Sequence, residues 1–104
     1  MIGSGIGGIL TIEVGHEKLL RDRNPRKISP FIVPKLMVNA CAGNVSIRYN
    51  LRGANSATAT ACATGAHAIG TAFHFIQRGD TDVMVAGGSE AAITPLCILS
   101  LIHI

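Results

Sequence analysis

An apolar segment at residues 62–77 constrains the fold of this chain more than any other feature of its sequence. Arranged as a helix, its apolar side chains would surround nearly the whole circumference, and its larger polar side chains are His67, His74 and Gln77. A helix that is apolar all round is buried on most sides. The apolar members of the segment are Ala63, Ala66, Ala68, Ile69, Ala72, Phe73, Phe75 and Ile76.

Short strands are predicted on both sides of this helix. Residues 56–61 alternate small apolar and hydroxyl side chains, a pattern typical of a strand with methyl groups and hydroxyls on opposite faces. Residues 82–86 form a short, mostly apolar run before two glycines, which is typical of a central strand in a parallel sheet. The order strand, helix, strand predicts a right-handed βαβ unit and an α/β fold.

The composition is too apolar for an independent globule of this size. The chain has 104 residues, enough for one domain, of which 48% are hydrophobic and only 14% are charged. A small domain has a high ratio of surface to volume and needs polar residues to cover it. We therefore expect much of the apolar surface to meet atoms outside this sequence, in a larger fold or a tight oligomer.

The first half of the chain is predicted to be helical around one charged loop. Apolar residues at helical spacing predict helices over residues 9–20 and 34–49, with Pro34 in the first turn of the second helix. Residues 21–30 contain two prolines and five charged side chains, which predicts an exposed loop.

Composition also argues against several classes of function. Aromatic residues make up 4% of the chain, with no Trp, which leaves few surfaces on which nucleic-acid bases could stack. The three cysteines are an odd number without C-x-x-C spacing, which argues against a disulfide framework and a structural zinc site and favours a reducing compartment. The four histidines form no recognisable metal-binding set, and neither a metal nor another cofactor is expected. No apolar run reaches the roughly 18 residues of a membrane span. The basic residues concentrate between positions 18 and 35, which favours an acidic partner there.

The glycine-rich loop at residues 3–8 matches the dinucleotide-binding pattern G-x-G-x-x-G. That pattern requires a preceding strand, and only Met1 and Ile2 precede the loop. The acidic residue expected about 20 positions later would be Asp22, which lies in the charged loop. A dinucleotide site is therefore the weaker interpretation, beside a turn whose glycines let the backbone approach another element.

Cys62 is the strongest candidate for chemistry. It stands where the predicted strand meets the buried helix, and unpaired N–H groups and the helix dipole favour a thiolate there. Cys41 and Cys97 begin no buried helix and are predicted to be core residues. His67 would lie about 140° around the helix from Cys62 and cannot serve it as general base. Small neighbours leave room for a bound group and an oxyanion: Ala61, Ala63, Thr64, Gly65 and Ala66.

Two segments carry a family pattern, TACATGAH at residues 60–67 and GDTDVMVAGG at residues 79–88. Upstream, GSGIGG, PRKISPF and VNACAGNVSIRYNLRG follow the same family's order. Together they resemble the beta-ketoacyl-acyl-carrier-protein synthase II family over residues 3–96, whereas residues 100–104 lack resemblance. The resemblance implies a thiolase-like layered α/β fold, of which residues 1–104 are part of the N-terminal beta-ketoacyl synthase domain, without its flanks.

The resemblance implies that Cys62 is the nucleophile of a 3-oxoacyl-[acyl-carrier-protein] synthase of fatty-acid biosynthesis. In this family the matching cysteine takes an acyl chain from acyl carrier protein as a thioester. Malonyl-carrier protein then loses carbon dioxide, and its carbanion attacks that thioester in a Claisen condensation. Two histidines and a lysine of the second half assist this step, so this chain alone is expected to be inactive. The alternative is a non-catalytic chain-length factor or carrier-protein-binding subunit, against which the intact Cys62 argues.

The resemblance also implies roles for four other residues. Ile6 matches the position that gates the acyl pocket. Ile32 stands where the family often has a second Phe after Phe31, which changes the shape of the pocket. Arg26 and Lys27 match a basic pair that meets the acidic carrier protein, although a solvated loop is an equally good interpretation.

The expected assembly and location also come from the resemblance. The family usually forms homodimers, and the predicted strand at residues 56–61 is a candidate edge at which two sheets could join. The expected compartment is the cytoplasm, or the mitochondrial matrix or a plastid in a eukaryote. Neither a nucleic acid nor a membrane is an expected partner.

Overall fold

The computed structural model describes residues 1–102; positions 103 and 104, the end of the segment without family resemblance, lie outside the described residues. The helices and strands follow one another as β1 (Ile2–Gly3), α1 (Ile9–Asp22), α2 (Ile32–Leu36), α3 (Ala40–Tyr49), α4 (Thr64–Gln77), β2 (Gly87–Gly88) and α5 (Pro95–Leu101). Short 3-10 turns occur at Pro25–Lys27 and Ala61–Ala63.

A small parallel sheet joins the start of the chain to residues 87–88. β1 pairs with β2 so that Ile2 lies opposite Gly87 and Gly3 opposite Gly88. The N-terminal ammonium of Met1 extends the pairing by donating to the carbonyl of Val85 at 2.7 Å. The strand predicted at residues 82–86 therefore lies at 87–88 instead, and its parallel partner is β1.

The prediction of a strand at residues 56–61 is wrong, and so is the prediction of a βαβ unit over residues 56–86. One backbone bond joins this segment to the end of β1, from the Ser4 N–H to the Thr58 carbonyl at 3.2 Å, and other polar groups of the segment bond to the start of α4. The Thr58 hydroxyl donates to the Thr64 carbonyl at 3.1 Å, and the Thr60 N–H donates to the Thr64 hydroxyl at 2.9 Å. Threonine side chains compete with ladder bonds in this way. The candidate dimer edge at these residues is accordingly not a strand.

The helix predicted over residues 9–20 is confirmed as α1, which ends where Arg23 takes a left-handed φ of 45°. The prediction of a single helix over residues 34–49 is wrong. Two helices, α2 and α3, are separated at Met37, whose ψ of 135° is extended and not helical. The Leu36 carbonyl accepts a hydrogen bond from the Gly8 N–H at 3.0 Å. A contact with the distant glycine-rich loop thus takes up a carbonyl that a continuous helix would use.

The core lies where α4 packs on the sheet. Met1, Ala68 and Ala72 form its buried centre. The prediction that α4 is buried on most sides is wrong for this chain, since Ile69 is 58% and Phe73 is 59% exposed. Only one face of α4 meets the sheet, and no second layer covers the other within residues 1–102.

Candidate active site

Cys62 lies in the 3-10 turn Ala61–Ala63, directly before α4 begins at Thr64. Ala61 has a φ of 46°, in the left-handed region where a side chain costs roughly 1–2 kcal/mol. Such strain is kept where the surrounding structure requires a sharp turn, often at a functional site. The turn leaves Cys62 exposed, and none of the hydrogen bonds formed within residues 1–102 uses its backbone N–H.

Cys62 borders an open cavity of about 240 Å³ that is lined by three segments of the chain. These are the glycine-rich loop after β1, the start of α4 and the residues after β2. Two larger cavities, of about 330 and 290 Å³, do not include Cys62. The residues around the Cys62 cavity are Gly3, Ser4, Gly5, Thr64, Gly65, Gly88, Ser89 and Glu90.

Two glycines allow α4 and β2 to approach each other at this cavity. A Cβ atom on Gly88 would lie 3.0 Å from the Cα of Gly65 and 3.1 Å from its N atom. Both atoms belong to the backbone, which cannot move aside as a flexible side chain does. Close backbone contact therefore fixes the position of the α4 N-terminus, and so of Cys62, against the sheet.

Glu90 joins two of the cavity's walls, and no motif in the sequence points to this residue. Its Oε1 accepts hydrogen bonds from the Ser4 hydroxyl at 2.6 Å and from the N–H groups of Ile6 at 2.8 Å and Gly7 at 3.1 Å. Its Oε2 accepts from the Gly5 N–H at 2.9 Å. The amide groups that would bind a dinucleotide phosphate are thus occupied by the chain's own carboxylate.

The hydrogen bonds also set the ionisation of Glu90. Burial alone would raise the pKa of this carboxyl. The bonds from Ser4 and from the three backbone N–H groups outweigh burial and lower the pKa below its ordinary value of 4.5. A glycine-rich loop whose N–H groups converge is a signal for a bound anion, but the sequence does not show that the anion comes from residue 90.

The structure places the two predicted acyl-pocket residues apart. Ile32 lines the cavity of about 290 Å³ beside α1, together with the Lys27 side chain. Ile6 is 51% exposed in the glycine-rich loop and borders neither that cavity nor the one at Cys62. Their roles remain predictions.

The two predicted carrier-protein residues differ in their surroundings. Lys27 Nζ lies 3.2 Å from the Asp22 carboxylate. That hydrogen bond, followed by one from Arg21, lowers the pKa of Asp22 below its ordinary value. Arg26 forms no ion pair within residues 1–102. Arg26 is therefore the member of the pair whose charge is available to an acidic partner.

The remaining histidine and cysteine candidates do not assemble into a second site. His67 Nδ1 lies 3.3 Å from the Thr60 hydroxyl. Cys41 and Cys97 are half-buried, in α3 and α5. In the part of the chain that the structure describes, no three His, Cys, Asp or Glu side chains come together as metal ligands. None of the helices described there has the length and apolar character required to span a membrane.

Residues 1–103 match the family model described as the N-terminal domain of beta-ketoacyl synthase. The chain belongs to the beta-ketoacyl synthase family. This match confirms the family to which the motifs around Cys62 pointed, and it covers the cavity and all three segments that line it.

Two curated relatives of this beta-ketoacyl synthase chain bear the name 3-oxoacyl-[acyl-carrier-protein] synthase 2. The protein from Staphylococcus aureus is 53% identical over 97 residues, which are 93% of this chain and 24% of the relative. The protein from Vibrio cholerae is 58% identical over 95 residues, which are 91% of this chain and 23% of the relative. The chain thus spans about a quarter of the length of these relatives.

A solved structure supports the fold of this beta-ketoacyl synthase chain. It is a type II polyketide synthase acyl-carrier protein in complex with its ketosynthase, bound to the hexaketide. The TM-score is 0.75 at 31% identity, over 95% of this chain and 26% of that one. The expected thiolase-like α/β fold, present as a partial domain, is therefore confirmed.

Proposed function

We propose that this chain is the nucleophile-bearing part of a 3-oxoacyl-[acyl-carrier-protein] synthase of fatty-acid biosynthesis. The observation that carries the proposal is the position of Cys62, at the head of α4 and on the wall of a cavity. The positive end of the helix dipole favours negative charge there, and a thiolate is the nucleophilic form of cysteine. The names of the curated relatives agree with this chemistry.

The proposed reaction has two stages at the Cys62 sulfur. First, the thiolate attacks the carbonyl carbon of an acyl-carrier-protein thioester; the new carbon–sulfur bond forms as the carrier's own thiolate leaves. Second, malonyl-carrier protein loses carbon dioxide, and the resulting carbanion displaces Cys62 from the acyl group. The products are a 3-oxoacyl-carrier protein and the regenerated thiolate. The Cys62 N–H is suited to stabilise the oxyanion of each addition step.

We assign the groups that assist decarboxylation to parts of the enzyme outside this chain. Within residues 1–102, the cavity at Cys62 is lined by no histidine or lysine. The 104-residue chain alone would therefore lack condensing activity.

Substitution of the nucleophile tests the proposal. In the full-length synthase that contains this chain, Cys62→Ser should lower the rate of acyl transfer by at least about a thousandfold, because a serine hydroxyl is not ionised at neutral pH. Cys41→Ser is the matched control and should keep its activity. Mass spectrometry of protein incubated with acyl-carrier protein measures the covalent acyl group. Acylation of the Cys62→Ser protein at the wild-type rate, or at a residue other than Cys62, would refute the proposal.

The carrier protein and a second copy of the chain are the proposed partners. The basic loop around Arg26 offers positive charge to an acidic carrier protein. Bare apolar side chains on α4, such as Ile69 and Phe73, offer a surface that the rest of the synthase and a second subunit could cover. The homodimer is thus proposed on the basis of exposed apolar area, and not of the edge at residues 56–61.

A further inference from the structure

We propose that Glu90 is a positioning residue, whose carboxylate fixes the loop that forms one wall of the cavity beside Cys62. The inference rests on the proposed function, in which this cavity is where the acyl thioester meets the Cys62 sulfur. Glu90 belongs to the segment after β2, whereas the loop, residues 4–7, follows β1. A single side chain therefore holds two walls of the same cavity together.

Three consecutive backbone N–H groups, those of Gly5, Ile6 and Gly7, converge on the Glu90 carboxylate. Hydrogen bonds to a charged acceptor are shorter and stronger than neutral ones. A short loop held by three such bonds loses most of its freedom to move. The carboxylate also holds Ile6, the largest side chain of the loop, through its backbone.

Ser4 adds to these hydrogen bonds, which together anchor the loop to Glu90 and are called the anchor below. Its side chain is almost fully buried, and its hydroxyl donates to Glu90 while it accepts the Gly7 N–H at 2.9 Å. Gly7 has a φ of 79°, so the turn that presents this N–H depends on glycine. The Ser4 hydroxyl oxygen thus takes part both in the turn of the loop and in the attachment of the loop to Glu90.

The anchor requires a carboxylate and not merely a polar side chain of the same size. A glutamine has one acceptor oxygen, and its amide nitrogen donates hydrogen bonds. In Glu90→Gln, that nitrogen would face an N–H group of the loop, donor against donor. The loop would lose at least one attachment while Cys62 keeps its turn, because no hydrogen bond joins Glu90 to Cys62 within residues 1–102.

The test compares Glu90→Gln with Glu17→Gln in the full-length synthase. Glu17 is exposed on α1, and its substitution makes the same change of charge far from the cavity loop. We expect Glu90→Gln to lower the rate of Cys62 acylation by acyl-carrier protein about tenfold or more, because a misplaced wall disturbs the reacting geometry. Alkylation of Cys62 by iodoacetamide, which needs no shaped cavity, should change less than twofold. A general loosening of the fold would instead speed alkylation of Cys62 more than twofold, because the thiol would become more accessible.

A double-mutant cycle with Ser4→Ala provides the second measurement. If Ser4 acts through the same anchor, Ser4→Ala and Glu90→Gln together should slow acylation no more than about twice as much as the larger single effect. The inference would be overturned if Glu90→Gln were acylated at the wild-type rate. It would also be overturned if the double variant slowed acylation by the full product of the two single effects. If Glu90→Gln does not fold, Ser4→Ala alone is measured in the two rate assays, with the same expected contrast. A wild-type enzyme that takes no acyl group on Cys62 would refute the proposed function instead.

Discussion

At the residue scale, Arg26 and Lys27 differ in whether their charge is paired within the described part of the chain. Lys27 is paired with Asp22, and Arg26 has no such partner in the described part of the chain. We expect Arg26→Glu in the full-length synthase to raise KM for acyl-carrier protein about tenfold, with less effect on kcat, because the charge attracts the partner without touching the reacting atoms.

Two controls make the Arg26 measurement specific. Arg48→Glu makes the same charge change on α3, at an exposed residue outside the basic loop, and should leave KM unchanged. An acyl-pantetheine substrate without the protein carrier should react equally well with both variants. Steady-state kinetics at low and high salt provide the numbers; an Arg26→Glu enzyme with wild-type KM would show that this loop is only a solvated surface.

The lowered pKa of Glu90 predicts how the free energy of unfolding depends on pH. Its folded pKa lies below the ordinary value of 4.5, so the ionised carboxylate stabilises the fold fully above pH 4.5. That contribution is lost as the pH falls through the folded pKa. The difference in unfolding midpoint between wild type and Glu90→Gln should therefore be constant from pH 7 to about 5 and shrink below pH 4.5. Urea denaturation at each pH measures it, and a difference that grows on acidification would contradict the assigned anchor.

At the element scale, the approach of α4 to β2 depends on Gly88. A Cβ there would lie 3.0 Å from backbone of Gly65, so Gly88→Ala must push the helix and strand apart. We expect the full-length protein to lose about 1–3 kcal/mol of unfolding free energy. Gly87→Ala is the matched control, because no atom lies within 4 Å of its added Cβ. Equal urea midpoints for the two variants would contradict the close packing.

Local signals in the sequence predicted some elements and failed for others. The apolar spacing of residues 9–20 identified α1, because one helix face is enough to define it. Periodicity could not show the break at Met37, since a hydrogen bond from Gly8, far away in sequence, takes the Leu36 carbonyl. Nor could the Ala/Thr alternation at residues 56–61 show that the Thr58 hydroxyl and the Thr60 N–H bond to Thr64 at the start of α4.

The candidate site likewise contains one residue that local sequence signals indicated and one that they missed. The position of Cys62 directly before α4 could be predicted because the start of a helix is a local feature, and the family motif surrounds it. Glu90 was missed because its partners lie more than 80 positions earlier, and a glutamate after a strand carries no pattern of its own. The sequence thus pointed to the proposed nucleophile, but not to the carboxylate that joins two walls of the cavity beside it.

At the scale of the whole molecule, the chain is a slab and not a globule. Its principal extents are 52, 37 and 15 Å, and its radius of gyration is 16.5 Å, whereas a compact chain of this length would have about 13 Å. Its accessible surface is 7651 Å², against about 5,500 Å² for a compact monomer of this mass. A slab so thin has room for little more than one packed layer, so its apolar side chains remain on the outside.

The isolated 104-residue chain should therefore not form a stable monomer. Half-exposed side chains such as Ile69 and Phe73 offer apolar surface that water disfavours by about 25 cal/mol per Å². The buried core of Met1, Ala68 and Ala72 is too small to offset the conformational entropy of ordering the chain. We expect dye binding to exposed apolar surface, a weak near-ultraviolet dichroism signal and association on size-exclusion chromatography. A monomer that unfolds cooperatively in urea would show instead that the α4–sheet core is sufficient, and that the bare faces need no further part of the synthase to cover them.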